Sequence, residues 1–148
     1  MTIACITPTI ITGITNAQEV INFYEKGFGS NRVREETVYE WARYFLDGEG
    51  GAFKAEIEDL IVGITGWYTE GSFTMVHPDY RQKGIGSQLM ERKQGHLKRY
   101  HTKVWEGNVA SLATISKFET RFLGIEIYKG KVIYHIEIIG GTNYGEST

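Results

Sequence analysis

The sequence predicts a mixed α/β fold in a single domain, with about seven strands and about four helices. Its 148 residues are the length of one ordinary domain. Hydrophobic residues make up 41% of the chain and charged residues 23%, which is typical of a globular protein with one core. Runs rich in β-branched residues alternate along the chain with segments whose apolar residues recur at helical spacing. Strands and helices are therefore interleaved, as in α/β architectures.

The first half of the chain predicts one strand, two helices and then three strands. Asn16 and Glu19 have the spacing of an N-cap and its capping-box partner, which indicates the start of a helix. The pair Glu58-Asp59 separates two strand-like runs and indicates a tight hairpin. In chain order the elements are a strand at 4–12, a helix that begins at Asn16 and includes Phe28, a helix at 31–46, and strands at 52–57, 60–68 and 72–76.

The second half predicts two helices and three strands. The apolar residues Leu112, Ile115, Phe118 and Phe122 follow helical spacing, which predicts a long last helix with these residues facing inward. In chain order the elements are a helix at 84–100, a strand at 102–105, a helix at 109–122, and two strands within 126–139 that turn at 129–131. The tail from residue 140 is expected to fray.

Cysteine content and hydropathy narrow the class of protein. The single cysteine, Cys5, cannot form an internal disulfide, which argues against a secreted disulfide scaffold. The first ten residues lack the basic start and apolar run of a signal peptide, and no apolar run reaches the roughly 18 residues of a membrane span. We therefore expect a soluble cytoplasmic domain with no membrane partner. The histidines lack metal-ligand spacing, so no metal is expected.

Charge is unevenly distributed along the chain. The net charge of −2 is too neutral for a general nucleic-acid binder. Residues 1–70 hold 11 Asp or Glu against 5 Lys or Arg, a balance of −6, whereas residues 71–148 hold 7 against 11, a balance of +4. Such a chain can hold a polyanion with its second half and meet a cation with its first, or it has two solvated helix faces of opposite sign.

The most informative segment is V-H-P-D-Y-R-Q-K-G-I-G-S-Q-L at 76–89. In it a predicted strand ends, a turn supplies Gly84 and Gly86, and a helix begins. The two glycines leave the backbone N–H groups of the turn uncovered at the positive end of the helix, which suits an anion. Arg81 and Lys83 add cations that suit a pyrophosphate. The alternative is a plain strand–turn–helix junction that uses glycine for its backbone freedom.

Two familiar phosphate loops do not fit this segment. A P-loop requires Gly-Lys followed by Ser or Thr, and here Ser87 and Gln88 follow Gly86. A dinucleotide-binding fingerprint requires a third glycine, and Leu89 occupies that position.

The segment resembles the acyl-CoA pyrophosphate loop of the GNAT superfamily of N-acetyltransferases. That loop has the form Arg/Gln-x-x-Gly-x-Gly/Ala, preceded by Val-x-Pro and followed by an apolar residue three positions on. The matching residues here are Val76, Pro78, Arg81, Gly84, Ile85, Gly86 and Leu89. The predicted order of elements also matches the superfamily's, so the resemblance covers roughly residues 3–139 and implies a GNAT-like, mostly antiparallel mixed sheet.

A second match lies in the next strand–helix unit. Residues 107–117 are similar to the family's Asn-x-x-Ser-(x)5-Lys pattern, which falls on Asn108 and Ser111. The resemblance implies that Asn108 meets the pantetheine arm and that Ser111 lines the cofactor, while Asn108 can also simply cap the helix. The full set of cofactor-binding residues implied by the resemblance is Met75, Val76, Arg81, Gln82, Lys83, Gly84, Ile85, Gly86, Ser87, Asn108 and Ser111.

The resemblance implies a direct acetyl transfer from acetyl-CoA to an amine. In the family the strand before the loop, here 73–76, bulges and splays from its neighbour, here 103–105, and pantetheine inserts between them like an extra strand. A backbone N–H near Val76 then steadies the developing oxyanion. Most of the acceleration comes from positioning the two reactants.

The attacking amine must be neutral, so a base has to take its proton. Glu70 lies eleven residues before Arg81, the offset at which the histone-acetyltransferase branch places its general base. Glu106, at a strand end beside the splay, is the second candidate. The alternative for Glu70 is a solvated glutamate in a turn.

The chain departs from the family at the general acid. Many relatives carry a tyrosine seven residues after the Asn, and here that position is Ile115. Either water protonates the leaving thiolate or one of Tyr100, Tyr128 and Tyr134 does. The family's Gly-Phe after this helix is also missing, which predicts a longer helix.

The expected activity is transfer of an acetyl group to a primary amine, such as a protein N-terminus, a lysine, a polyamine or another small amine. The acidic first half favours a cationic acceptor. The competing interpretation is a module that binds acyl-CoA or a partner without turnover, as Ile115 suggests. No nucleic acid is expected, and the chain is a monomer or a homodimer. The basic cluster Arg92, Lys93, Lys98 and Arg99 either touches the cofactor's 3′-phosphate or complements the negative end of its helix.

Overall fold

A computed structural model describes residues 9–28, 33–97 and 99–142. The described chain has seven strands and four helices in the predicted order, which confirms the mixed α/β class. The elements are β1 (Ile10–Gly13), α1 (Ala17–Glu25), α2 (Glu35–Leu46), β2 (Gly50–Ile57), β3 (Leu60–Tyr68), β4 (Gly71–Val76), α3 (Ile85–Leu97), β5 (Tyr100–Trp105), α4 (Val109–Ile115), β6 (Phe118–Tyr128) and β7 (Lys131–Thr142).

The strands form two antiparallel sheets. The first has the order β1-β2-β3-β4 and the second the order β5-β7-β6. Glu58 and Asp59, with φ of 51° and 67°, form the predicted two-residue turn between β2 and β3, since such hairpin turns need positive φ at both positions. Lys129 and Gly130, with φ of 51° and 78°, do the same between β6 and β7.

The two sheets meet at β4 and β5 without joining. These strands lie side by side, yet β4 pairs with β3, β5 pairs with β7, and no ladder links β4 to β5 in the part of the chain that the structure describes. The expected splay is therefore present. The expected bulge in 73–76 is not, because β3 and β4 pair without a register shift from Gly63–Val76 to Tyr68–Gly71.

Helices cover both faces of the first sheet. Helices α1 and α2 pack Val20, Val38 and Trp41, all fully buried, on one face. Helix α3 packs Ile85 and Leu89 on the other. The core residues alternate along β3, with Val62 toward α3 and Ile64 toward α1 and α2, as the period of two in a strand requires.

Helix α3 lies unusually close to β3. A Cβ added to Gly63 would be 2.9 Å from Leu89 Cδ1, 3.1 Å from Ile85 Cγ2 and 3.3 Å from the Met75 carbonyl oxygen. The missing side chain of Gly63 therefore sets the distance between the sheet and the helix.

The predicted last helix is too long. Helix α4 ends at Ile115, and residues predicted as its final turns belong to β6. Ile115 and Phe118 are three residues apart, which matches helical spacing, and both are buried in one cluster with Ile138. Phe118 nevertheless begins a strand. Phe122, predicted to face inward, is 62% exposed. It lies on β6, which pairs with β7 instead of continuing the helix.

Other differences concern the ends of elements. Helix α2 begins at Glu35 rather than at residue 31, and β7 extends to Thr142. The predicted strand at 4–12 is described only from residue 9, where β1 begins at Ile10, and the tail from residue 143 lies outside the described residues. No described helix is long and apolar enough to cross a membrane.

The packing at Gly63 can be tested by comparing two strand glycines. We expect Gly63→Ala to lower the free energy of unfolding by ~1–3 kcal/mol, because the new methyl group must push Leu89 or the helix away. Gly13→Ala is the matched control, since nothing lies within 4 Å of its added Cβ. Urea unfolding of both variants measures the difference. Equal changes in the free energy of unfolding for Gly63→Ala and Gly13→Ala would contradict the close packing at Gly63.

Candidate functional site

The loop between β4 and α3 is held at its outer end by Arg81. Its Nε donates a hydrogen bond to the Val76 carbonyl oxygen at 3.0 Å, and its Nη2 donates to the Phe28 carbonyl oxygen at 3.2 Å. The loop begins with a short 3-10 turn at Pro78–Tyr80, in which His77 Nδ1 accepts from the Asp79 N–H at 3.1 Å. The guanidinium of Arg81 thus fixes the loop to the end of the strand.

The inner part of the loop is open. Gln82 and Gly84 have φ of 64° and 84°, and no atom lies within 4 Å of a Cβ added to Gly84. A Cβ added to Gly86 would meet only Val76 Cγ2, at 3.6 Å. Helix α3 starts at Ile85, and the N–H groups of its first turn have no acceptor within the helix. The loop therefore presents uncovered donors at a positive helix end.

A cavity of about 240 Å³ lies over this loop. We call it the loop-side cavity. Every residue predicted to bind the cofactor lies on its wall except Lys83, whose exposed side chain is not part of the wall. Its lining is Thr74, Met75, Val76, Tyr80, Arg81, Gln82, Gly84, Ile85, Gly86, Ser87, Met90, Asn108, Ser111 and Thr114.

A second cavity, of about 200 Å³, lies on the side of the β6–β7 hairpin. We call it the hairpin-side cavity. Segments from six parts of the fold form its wall: 33–37 at the start of α2, 68–74 across the β3–β4 turn, 90–93 in α3, 102–105 in β5, 108–115 around α4, and 128–133 in the hairpin.

The two cavities adjoin between β4 and β5. They share Thr74 of β4, Met90 of α3, and Asn108 and Ser111 of the α4 unit. The splay between the sheets is therefore lined from both sides.

Asn108 caps α4, as one of its two predictions states, and it also faces the two cavities. Its Oδ1 accepts a hydrogen bond from the Ser111 N–H at 3.3 Å, which caps α4. The residue also lies on the walls of both cavities. The cap therefore holds the Asn108 side chain at the splay.

Glu70 lies on the wall of the hairpin-side cavity, in the turn between β3 and β4. Tyr44 Oη donates a hydrogen bond of 2.5 Å to its Oε1, and this bond is the main cause that raises the pKa of Tyr44. Tyr68, stacked against Tyr44 at 5.2 Å between ring centroids, donates to Glu40 Oε1 at 2.9 Å. Burial, and then this hydrogen bond, raise the pKa of Tyr68. Tyr44 thus holds Glu70 on the cavity wall, whereas Glu40, which Tyr68 contacts, is not part of that wall.

Glu106, the second candidate base, has a different environment. Its side chain is exposed, accepts a hydrogen bond from Tyr134 Oη at 3.5 Å, and is absent from the walls of both cavities. The placement favours Glu70 over Glu106 as the carboxylate that faces a ligand.

The three tyrosines predicted as candidate acids are also separated. Tyr128 lies on the wall of the hairpin-side cavity, as does the buried Ile115. Tyr100 is buried, and burial raises the pKa of its hydroxyl. Tyr134 is engaged with Glu106. Among these three, Tyr128 alone contributes to a cavity wall.

Lys93 is the residue that the sequence interpretation missed. Both explanations of its basic cluster predicted an exposed charge, and Lys93 is instead 1% exposed, on the wall of the hairpin-side cavity. Burial lowers its pKa to about 7. Its Nζ lies 4.6 Å from the centroid of the Tyr100 ring, and no carboxylate of the described residues lies within 4.0 Å of it. The available signal was its place four residues after Leu89 on the apolar stripe of α3.

The rest of that cluster is not buried. Arg92 and Arg99 are exposed, and Arg99 pairs with Glu137 at 3.4 Å. Lys98 lies outside the described residues.

The charged side chains around the hairpin-side cavity are mostly basic, although the cavity also contains segments from the acidic first half of the chain. Its lining has a single carboxylate, Glu70, and five cationic side chains: Arg34, Lys93, Lys103, Lys129 and Lys131. Four of these five come from the second half of the chain, so its positive excess reaches this cavity as well as the loop. No group of three His, Cys, Asp or Glu side chains in the described ranges is placed to hold a metal ion.

A family model described as the acetyltransferase (GNAT) domain matches residues 48–119, which include β2 to α4 and the whole 76–89 segment. Residues 48–119 therefore match a GNAT acetyltransferase domain, and the resemblance seen in the loop is confirmed.

Solved acetyltransferases share this fold at low sequence identity. The ribosomal-protein-S18-alanine N-acetyltransferase of Escherichia coli aligns with a TM-score of 0.68 and 12% identity, over 95% of this chain and 100% of that chain. A spermidine N-acetyltransferase chimera of Vibrio cholerae SpeG and hSSAT aligns with 0.65 and 10%, over 88% and 95%. A Salmonella typhimurium protein solved with its cofactor acetyl-CoA aligns with 0.63 and 12%, over 95% and 96%. No curated protein sequence gives a significant match.

The burial of Lys93 makes a prediction about stability. Because its pKa is lowered from 10.5 to about 7 in the folded state, the unfolded chain binds more protons between these values, and raising the pH increases the free energy of unfolding. We expect Lys93→Met to stabilise the protein at neutral pH by ~1–4 kcal/mol and to remove this contribution.

Denaturant unfolding at several pH values between about 7 and 9 measures the effect, below the range in which tyrosines titrate. Lys117→Met, at an exposed position, is the control and should leave the pH dependence unchanged. A Lys93→Met protein with the wild-type pH dependence would show that the pKa of Lys93 is not lowered in the folded state.

Proposed function

We propose that the chain transfers an acetyl group from acetyl-CoA to a primary amine by direct attack in a ternary complex. The observation that carries the proposal is the junction of the two cavities at the β4–β5 splay. One cavity offers uncovered backbone donors for phosphates, and the other offers a fixed carboxylate for an amine. A reaction between two bound molecules needs such an arrangement.

The loop-side cavity fits the pyrophosphate of coenzyme A. Gly84 and Gly86 leave room where a Cβ would stand between the loop and its ligand, and the N-terminus of α3 favours negative charge. Arg81 acts as the residue that fixes the loop, through its bonds to the Val76 and Phe28 carbonyls. When bound, acetyl-CoA supplies the thioester as acyl donor.

The splay suits an extended pantetheine arm. The edges of β4 and β5 that face each other have no ladder partner among the described residues, so their backbone groups are available to a strand-like ligand. Asn108 and Ser111, at the junction, are placed beside such an arm. A backbone N–H near Val76, at the end of β4, is the proposed donor to the oxyanion.

The hairpin-side cavity is the proposed site of the amine. Glu70, directly or through a water, accepts the proton that the amine must lose before it attacks. Tyr128 or a water returns a proton to the thiolate. The acceptor itself is not fixed by the fold, since the structural neighbours include enzymes named for a ribosomal-protein alanine and for spermidine.

Titration calorimetry with acetyl-CoA tests the cofactor site. We expect micromolar binding by the wild type, and a loss of at least about tenfold in Gly84→Asp, because the carboxylate stands where a phosphate should bind. Gly48→Asp is the matched control: it adds the same charge at an exposed glycine with φ of 75° and open space around it, far from the loop in sequence.

Loss of binding in Gly84→Asp alone supports the site. Equal binding by all three proteins, or none by the wild type, would mean that the loop is only a junction. Tight binding with no transfer to any amine would support the alternative of a non-catalytic acyl-CoA-binding module, which the buried Ile115 at the tyrosine position favours.

The pH profile of acetyl transfer tests Glu70. We expect Glu70→Gln to lower the rate of transfer near pH 7 by ~10²–10⁴-fold. At high pH the rate should return toward that of the wild type, because the amine there loses its proton without help. Glu106→Gln is the control because Glu106 lies off both cavity walls, and its profile should match the wild type. An unchanged profile in Glu70→Gln would remove the assignment.

A further inference from the structure

We propose that the acceptor is an amine that also carries an anionic group, a carboxylate or a phosphate. This inference rests on the proposed function, since it names the class of amine that the hairpin-side cavity takes. It differs from the cationic acceptor that the acidic first half of the sequence favours.

The positive side chains converge on the cavity from separate elements. Arg34 precedes α2, Lys103 lies on β5, Lys129 and Lys131 flank the hairpin turn, and Lys93 approaches from α3. Side chains that share one solvated helix face would not meet in this way. Their convergence on one concave wall instead concentrates positive potential there.

These cations lack carboxylate partners. None of them lies within 4.0 Å of an Asp or Glu side chain of the described residues. Three lie over aromatic rings of the same wall instead: Arg34 Cζ is 4.3 Å and Lys129 Nζ 5.3 Å from the centroid of Tyr128, and Lys131 Nζ is 4.6 Å from that of Trp105. A cation–π contact orients a cation without neutralising its charge.

The carboxylates of the neighbouring strands are used elsewhere. Glu126 contacts His135 at 2.6 Å, and Glu137 pairs with Arg99 and Arg121 at 3.4 and 3.0 Å. Lys103 and Arg34 contribute to the lowered pKa of Glu126, after the larger effect of its hydrogen bond with His135. The positive field of the cavity therefore extends to β6.

One carboxylate, Glu70, lines the opposite end of the cavity, at the β3–β4 turn, and Tyr44 holds it by a hydrogen bond. An acceptor with two charges of opposite sign satisfies both ends: the amine lies toward Glu70, and the anionic group lies toward the lysines. A polyamine would place its second ammonium among those lysines, which Coulomb repulsion disfavours.

The buried Lys93 fits the same ligand. Its burial without a carboxylate partner is unfavourable, and an anion in the cavity would reduce this cost.

Matched acceptors test the inference in a transfer assay that follows release of the coenzyme A thiol. L-phenylalanine is compared with L-phenylalaninamide, O-phosphoethanolamine with ethanolamine, and both pairs with spermidine. We expect the anionic member of at least one pair to have the higher kcat/KM by about tenfold or more. The first pair reports on a carboxylate and the second on a phosphate.

Two variants identify the side chains responsible. In the double variant Lys129→Gln with Lys131→Gln, we expect the KM of the anionic acceptor to rise by about tenfold, while the KM for acetyl-CoA stays unchanged. Lys117→Gln is the control, since Lys117 is exposed and lies on neither cavity wall. Preference for spermidine or for the members without the anionic group, or a double variant with wild-type selectivity, would overturn the inference.

A binding experiment decides the matter without turnover. Calorimetry compares N-acetyl-L-phenylalanine with N-acetyl-L-phenylalaninamide, two products that differ only in the carboxylate. Tighter binding of the anionic product, lost in the double variant, supports the inference, and equal binding contradicts it. Failure of acetyl-CoA to bind would instead contradict the proposed function, so the two failures are distinguishable.

Discussion

The rest of the structure depends on the missing ladder between β4 and β5. If these strands were hydrogen-bonded to each other, the seven strands would form one continuous sheet and the two cavities would be separated by its backbone. Instead β5 pairs with β7, which leaves an open edge on each sheet. Unpaired strand edges are costly when buried and reactive when exposed, so a fold retains them where a ligand pairs with them. The two cavities adjoin at this unpaired place between β4 and β5.

The position of the loop depends on the packing of α3. Gly63 lets the helix approach β3, and Ile85 and Leu89 anchor its first two turns in the core. Arg81 then binds the end of β4 and the Phe28 carbonyl together. A change in the core of the first sheet would therefore move the backbone N–H groups that are proposed to bind phosphate, because Ile85 belongs both to the core and to the wall of the loop-side cavity.

Much of the fold and of the loop could be predicted because local signals fix them. A two-residue turn at Glu58-Asp59 sets the register of its hairpin, and the glycine pair at 84 and 86 marks a strand–turn–helix junction by itself. The end of α4 could not be predicted in the same way. Ile115 and Phe118 satisfy both helical spacing and their actual places in one cluster, and only pairing with β7 decides between the two.

The charge pattern of the cavity could not be predicted for a related reason. The balance of each half counts charges along the chain, whereas the potential at a site depends on which side chains the topology brings together. Acidic residues of the first half are drawn into separate contacts, such as Glu19 with Lys54 and Glu25 with Tyr39. The lysines of β5 and of the hairpin converge without such partners. The proposal of an anionic group on the acceptor therefore rests on the folded hairpin, and its sign is opposite to the one that the linear sequence favours.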